Sequence, residues 1–172
     1  MDDNQVRQLR EINLVRARCC RKTIMTMTKT ANSLIATEDS IGDPTNDSPL
    51  IIDSAQKAYQ LLVKNYNPDA EEVWGVYLTH QLEMIVIVMV HKGTANSCKI
   101  HARDIFREAV RANCYTFVLA HNHTSASCEP SLEDIRITQK LKKCAALLEI
   151  SILDHVIFTK NNYYSFKESG RF

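Results

Sequence analysis

One string of side chains ties the end of a strand to the start of a helix: His121-Asn122-His123, then Ser131-x-x-Asp134 after seven intervening residues. The apolar run Tyr115-Thr116-Phe117-Val118-Leu119-Ala120 leads straight into His121, and a strongly helical segment follows Ser131. Two histidines two apart on a strand end point their rings to the same side. Read alone, each half is weak. A His-x-His pair can be two solvated imidazoles, and Ser131-x-x-Asp134 has the form of a helix N-cap with an acid at its third position. Together they restrict the fold to one in which a strand end meets the first turn of a helix. They also supply a His2Asp set, and three protein ligands with a fourth position open is how catalytic zinc sites are built. Structural zinc sites are closed by four protein ligands and usually contain Cys. The string therefore predicts a zinc hydrolase with His121, His123 and Asp134 as ligands.

The rest of the chain is read around that string. Helical spacing of Ala55, Ala58, Leu62 and Tyr66 predicts a helix capped by Asp53 or Ser54 and ended by Asn67-Pro68-Asp69. Residues 73–78 and 84–91 read as paired strands turning near His80-Gln81. Residues 102–113 read as a helix burying Ile105, Phe106, Ala109 and Val110, and residues 115–121 as a central strand. Residues 131–148 form a second core helix with Ile137, Leu141, Cys144 and Leu148 on one face. Residues 150–159 are a strand, and residues 163–166 a short closing strand after the Lys160-Asn161-Asn162 turn. Helices interleaved with mixed strands imply an α/β sandwich, a mixed sheet with flanking helices.

The chain of 172 residues accommodates one domain with a real core. Residues 50–172 carry that pattern, and residues 1–49 differ from it. Asn4 is placed to cap a short helix running to about Arg18, and Arg16, Arg18, Arg21 and Lys22 make a basic stretch. That arm offers a contact for nucleic acid or a partner, but a flexible leader is the preferred reading, with residues 41–49 as linker. Lys+Arg 21 against Asp+Glu 20 gives the whole chain no polyanion-binding character. No apolar run reaches membrane-spanning length, and the N-terminus lacks the apolar core of a signal peptide, so no membrane association is expected. Cys19, Cys20, Cys98, Cys114, Cys128 and Cys144 show no Cys-x-x-Cys pair and no framework spacing, which excludes a zinc ribbon and a disulfide scaffold and fits a reducing cytoplasm. Cys128 lies in the metal loop, but the ligand set is complete without it.

Several segments beside the His-Asn-His string resemble a known family. They are Gly93-Thr94, Ile100-His101-Ala102-Arg103-Asp104-Ile105-Phe106-Arg107-Glu108-Ala109, Pro130-Ser131-x-x-Asp134, Thr138, Leu153-Asp154-His155-Val156-Ile157 and Tyr164-Ser165-Phe166. In order and spacing, from about Ile51 to Phe172, they resemble the RadC-like branch of the JAMM (MPN-plus) metalloproteases. The resemblance implies a deaminase-like JAMM architecture, bound Zn2+ and hydrolysis of a peptide or isopeptide bond in a peptide or protein substrate. Thr124-Ser125-Ala126 stand where the family usually has Pro-Ser-Gly, which leaves the ligands untouched and alters the loop. The helix-hairpin-helix region that precedes the domain in full-length RadC proteins is not recognisable in residues 1–50.

The JAMM pattern also implies a general base, a Glu at the start of an early strand. Glu71 and Glu72 are the candidates, and alternation along a strand lets only one face the metal. The RadC-like register selects Glu71, whereas the Glu-x-x-Gly form of other branches selects Glu72. Ser131 resembles the family serine whose hydroxyl donates to a developing oxyanion, a role compatible with capping the helix. Asp154-His155 is open between orienting a ligand imidazole and forming a buried pair with no catalytic part. A zinc deaminase needs His-x-Glu and Pro-Cys-x-x-Cys ligands, and neither string is present. The rival readings are a metal-dependent nuclease and a DNA-associated accessory protein of repair or mobile elements acting through the basic arm.

Overall fold

The computed structural model describes residues 49–93 and 100–172, together with strand residues 15–16, 26–30 and 33–37. In chain order the elements are β1 (Val15–Arg16), β2 (Thr26–Thr30), β3 (Ser33–Thr37), α1 (Ala55–Leu62), β4 (Glu72–Leu78), β5 (Met84–Lys92), α2 (Ala102–Arg111), β6 (Thr116–Asn122), α3 (Leu132–Leu148), β7 (Ser151–Phe158) and β8 (Tyr163–Ser165). The main sheet runs β1-β5-β4-β6-β7-β8. Its pairs are antiparallel except β6 with β7, which are parallel and joined by the crossover helix α3. This is the mixed-sheet α/β sandwich that the pattern of elements predicts. No helix among the described residues is long and apolar enough to cross a membrane.

Alternation along the central strands sorts the core into two layers. Val73 and Tyr77 of β4 and Phe117 and Leu119 of β6 pack under α2 and α3, against Ile105, Phe106, Ala109, Ile137, Leu141 and Ala145. Trp74, Val76 and Leu78 with Val118 and Ala120 face the other way, onto Ala55, Ala58 and Leu62 of α1. The interior is the near-continuous apolar run expected of strands buried on both faces. Gly75 interrupts β4 for a steric reason. A Cβ there would lie 2.5 Å from the Tyr77 hydroxyl oxygen, so only glycine lets that ring fold back and donate to the Ile105 carbonyl at 2.9 Å.

The local expectations hold, with corrections in each of the three described helices and in the N-terminal arm. Ser54 caps α1, but the helix ends before Tyr66, whose ring packs edge-on to Phe158 at 5.3 Å instead. Val110 is 62% exposed, because it lies about 100° round α2 from Ala109 and off the buried stripe. Leu148 is 47% exposed, in the last turn of α3 beyond the residues that pack on the sheet. In the N-terminal arm, Val15 and Arg16 pair with Ile87 and Val86 as an edge strand, not as the end of a helix. β2 and β3 form a separate hairpin where a leader was expected. The rest of the Asn4–Arg18 helix, the basic residues Arg18, Arg21 and Lys22, and the 41–48 linker lie outside the described residues.

Candidate metal centre

The end of β6 is where the two layers and α3 meet. His121 continues the odd-numbered face of Phe117 and Leu119, so its ring enters the layer covered by α3. His123 lies just past the strand on the same side. Asp134 sits at the third position of α3 and is brought to them by its cap. Ser131 Oγ accepts from the Asp134 N–H at 3.2 Å, while Asp134 Oδ2 accepts from the Ser131 N–H at 2.8 Å and from its hydroxyl at 2.6 Å. This reciprocal capping box fixes the carboxylate with Oδ1 turned to His121.

The converging atoms stand 3.2 Å (His121 Nε2 to His123 Nε2), 3.2 Å (His121 Nε2 to Asp134 Oδ1) and 3.6 Å (His123 Nε2 to Asp134 Oδ2) apart. Ligands at zinc's usual bond lengths in a tetrahedron stand about 3.3 Å from one another, which the separations of His121 Nε2 from His123 Nε2 and from Asp134 Oδ1 match, while the 3.6 Å distance runs to the other carboxylate oxygen. The donor chemistry fits too. His123 Nδ1 lies 3.1 Å from the Ser127 carbonyl, which can only accept, so Nδ1 carries the proton and Nε2 offers a lone pair. Among the described residues, His121, His123 and Asp134 are the group able to hold a metal, with ligand atoms all within 4.8 Å. Cys128 is a free, half-buried thiol outside that group.

Electrostatics agree with a cation site. Burial opposes ionisation of Asp134, yet the His121 and His123 imidazoles beside it and the Ser131 hydroxyl together hold its carboxyl far below the usual range. Burial likewise lowers His123, but the Asp134 and Ser127 hydrogen bonds and the charges of Asp134 and Glu71 outweigh it and raise the imidazole.

The two acids before β4 part company. Glu72 is buried, its carboxylate taken by the Asn67 N–H at 3.0 Å and by Lys92 at 3.2 Å. Glu71 is half-buried, and its charge is the one of the two that acts on His123. Asn122, unassigned by sequence reasoning, explains how they are set. Alternation sends its side chain to the face opposite His121, where Oδ1 accepts from the Glu72 N–H at 2.8 Å. Its amide donates to the Ala70 carbonyl at 2.9 Å and the Asn67 carbonyl at 3.2 Å. One fully buried side chain thus clamps the loop carrying Glu71 to the strand carrying both histidines. The available signal was strand alternation applied to the middle residue of His-Asn-His.

Behind His121 lies a second layer of polar groups. His155 Nε2 is 3.0 Å from His121 Nδ1, and His155 Nδ1 is 2.6 Å from Thr138 Oγ1. The His155 ring stacks on Phe166 at 4.9 Å, nearly parallel. Asp154 turns the other way. It accepts from the backbone N–H groups of His155 (2.7 Å) and Lys167 (3.0 Å) and from the Ser165 hydroxyl, fastening β7 to the chain after β8. The adjacent pair therefore divides, with His155 facing the site and Asp154 facing the fold.

The family comparisons cover the same residues. The RadC-like JAB domain matches residues 52–171. A UPF0758 protein of Thermotoga maritima is 37% identical over 122 residues, which is 71% of this chain and 55% of that protein. A UPF0758 protein of Clostridium botulinum is 49% identical over 78 residues, 45% of this chain and 34% of that protein. One of Latilactobacillus sakei is 33% identical over 121 residues, 70% of this chain and 54% of that protein. The chain thus spans about half the length of the curated relatives it matches. With the profile covering all of the main sheet but its first edge strand, the three helices of the described residues and the His-His-Asp group, the chain belongs to the RadC-like JAB domain family.

Proposed function

We propose that this domain is a zinc-dependent metallohydrolase of the JAMM class that cleaves a peptide or isopeptide bond. The observation that carries the reading is the convergence of His121 Nε2, His123 Nε2 and the Asp134 carboxylate, with ligand atoms all within 4.8 Å, beside the exposed Ser131. These three residues hold the ion. When bound, zinc supplies a water acidified towards neutrality and a Lewis acid for the scissile carbonyl. Glu71 is the general base, taking a proton on its carboxylate and handing it to the leaving amine nitrogen. Glu72 is spent on Asn67 and Lys92. Ser131 Oγ keeps accepting from the Asp134 N–H while its own proton, now given to Asp134 Oδ2, turns to a developing oxyanion.

The test pairs metal analysis with a quenched peptide library and isopeptide-linked substrates. Wild type should carry one zinc per chain and cleave an amide bond in a chelator-sensitive way, and the His121→Ala/His123→Ala double variant should hold no zinc. Zinc retained in the double variant defeats the ligand assignment. Metal-dependent cleavage of DNA without any amide cleavage would show a nuclease instead.

A further inference from the structure

We infer that Thr138 and His155 form a proton-ordering relay that holds His121 with its proton on Nδ1 and its Nε2 lone pair on the metal side. The relay begins at a backbone atom. Thr138 lies one turn after Asp134 in α3, and its Oγ1 is 2.6 Å from the Asp134 carbonyl oxygen. A carbonyl only accepts, so the hydroxyl proton points there. The 2.6 Å approach of His155 Nδ1 to the same Oγ1 then requires the proton to sit on Nδ1. His155 is 1% exposed and its ring meets no carboxylate among the described residues, and an unpaired imidazolium is costly in such a place. It is therefore the neutral Nδ1–H tautomer, with a lone pair on Nε2. That lone pair faces His121 Nδ1 at 3.0 Å and fixes the proton on Nδ1 of His121.

The opposite order fails at its first step. With the Thr138 hydroxyl turned to His155, two oxygens would face each other at 2.6 Å with no proton between them. His155 would then donate to His121, and His121 would carry its proton on Nε2 towards the Asp134 carboxylate, where an incoming metal would have to displace it. Asp134 thus acts twice, through its carboxylate in the ligand set and through its backbone carbonyl as the reference for the relay. Phe166 stacked on the His155 ring and Asp154 on the His155 N–H keep the ring in plane and in register. His155 and Thr138 are positioning residues, acting only through His121.

The consequence for metal binding rests on the zinc reading, whereas the proton order does not, and the experiment separates them. Long-range 1H–15N correlation on histidine-labelled, metal-free protein at about pH 8 reads each tautomer directly. Zinc affinity is read by competition with a chromophoric chelator. His121 and His155 should both be Nδ1–H in wild type. Thr138→Val, which keeps shape and removes the acceptor, should mix the tautomers and weaken zinc by about tenfold to a hundredfold, while Thr138→Ser restores both readouts. His155→Gln, whose carbonyl accepts from His121 and whose amide donates to Thr138, should hold zinc better than His155→Leu, and it carries the test if Thr138→Val does not fold. An Nε2–H tautomer at His121 or His155 in wild type overturns the relay. So does undiminished zinc affinity in both Thr138→Val and His155→Leu. Wild type that binds no zinc yet shows the expected tautomers overturns the metal reading and leaves the proton order standing.

Discussion

His121 and His123 stand two residues apart at one strand end and face one point, yet they are held in unlike ways. The His121 side chain is 3% exposed, and its far nitrogen is met by His155 from β7, itself held by Thr138 on α3. The His123 side chain is 14% exposed, and its far nitrogen is met by the Ser127 carbonyl of the exposed loop that follows. Within that loop, Ser125 Oγ donates to the Ser127 carbonyl at 3.2 Å and the Glu129 N–H donates to Ser127 Oγ at 3.2 Å. The inner ligand is oriented by the packed core and the outer one by a surface turn. A site built this way has one wall as rigid as the interior and one that can vary with the loop. This is why Thr124-Ser125-Ala126 can replace Pro-Ser-Gly without disturbing the inner wall.

Replacing each ligand singly should expose that asymmetry with the largest effects. His121→Ala and His123→Ala should both abolish stoichiometric zinc, as metal analysis would read. Only His121→Ala should also unsettle the metal-free fold, by about 1–3 kcal/mol, since it leaves a cavity and the buried His155 Nε2 without its donor. His123→Ala removes a half-exposed ring and should leave the chelated melting temperature close to wild type. Equal losses of stability would erase the distinction between the walls.

Next in size is the general base. Glu71→Gln should lower the hydrolytic rate by about a hundredfold to ten-thousandfold with zinc and fold intact. Glu72→Gln breaks the buried pair with Lys92, so its signature should be lost stability with smaller loss of rate. Exchanged outcomes would mean that the Glu-x-x-Gly register was the correct one.

Asn122→Ala should cost about 1–3 kcal/mol in a chemical melt, because buried backbone groups at Ala70 and Glu72 lose their partner. The rate should fall further than zinc affinity, since the clamp holds the Glu71 loop and touches no ligand atom. A variant with wild-type rate would show that Glu71 is placed by something else.

The outer wall and the architecture were legible because their evidence is local. Apolar periodicity marks the strands and helices, and His121, His123, Ser131 and Asp134 fall within one strand, one loop and one turn of helix. The inner wall was only partly legible. His155 meets His121 across 34 residues of chain and Thr138 across 17, and no spacing rule connects a strand residue to a helix residue that a crossover folds back on it. Val110 and Leu148 were misread for a related reason, as apolar side chains near a buried stripe but outside its arc. The proposed preference for Glu71 over Glu72 rests on Asn67 and Lys92 occupying the Glu72 carboxylate, a fact of packing that no sequence pattern carries.

The smallest expected effect concerns acid, where the two walls pull in opposite directions. His155 is held well below its ordinary 6.5 by burial first and by the charge of His121 second. The unfolded chain takes up that proton as pH falls past 6.5 and the folded chain does not, so His155 withdraws stability on acidification. His123 is the reverse case. Its folded value lies above 6.5, so the stability it contributes is fully present below 6.5 and is lost as pH rises through that folded value. Asp134, held below 3.8, stays ionised throughout this range. Asp154 is raised above 3.8 by burial and gains stability towards the acid end, so the contrast is cleanest between pH 7 and about 5.5. Over that window, metal-free wild type should lose stability, because the buried ring is displaced further from its ordinary value than the half-buried one. In His155→Gln, which keeps the hydrogen-bonding order without a titrating ring, only the His123 contribution remains and the slope should change sign. Urea midpoints in chelator at the two pH values measure it. A loss of stability on acidification that persists in His155→Gln would place the acid sensitivity outside the inner wall.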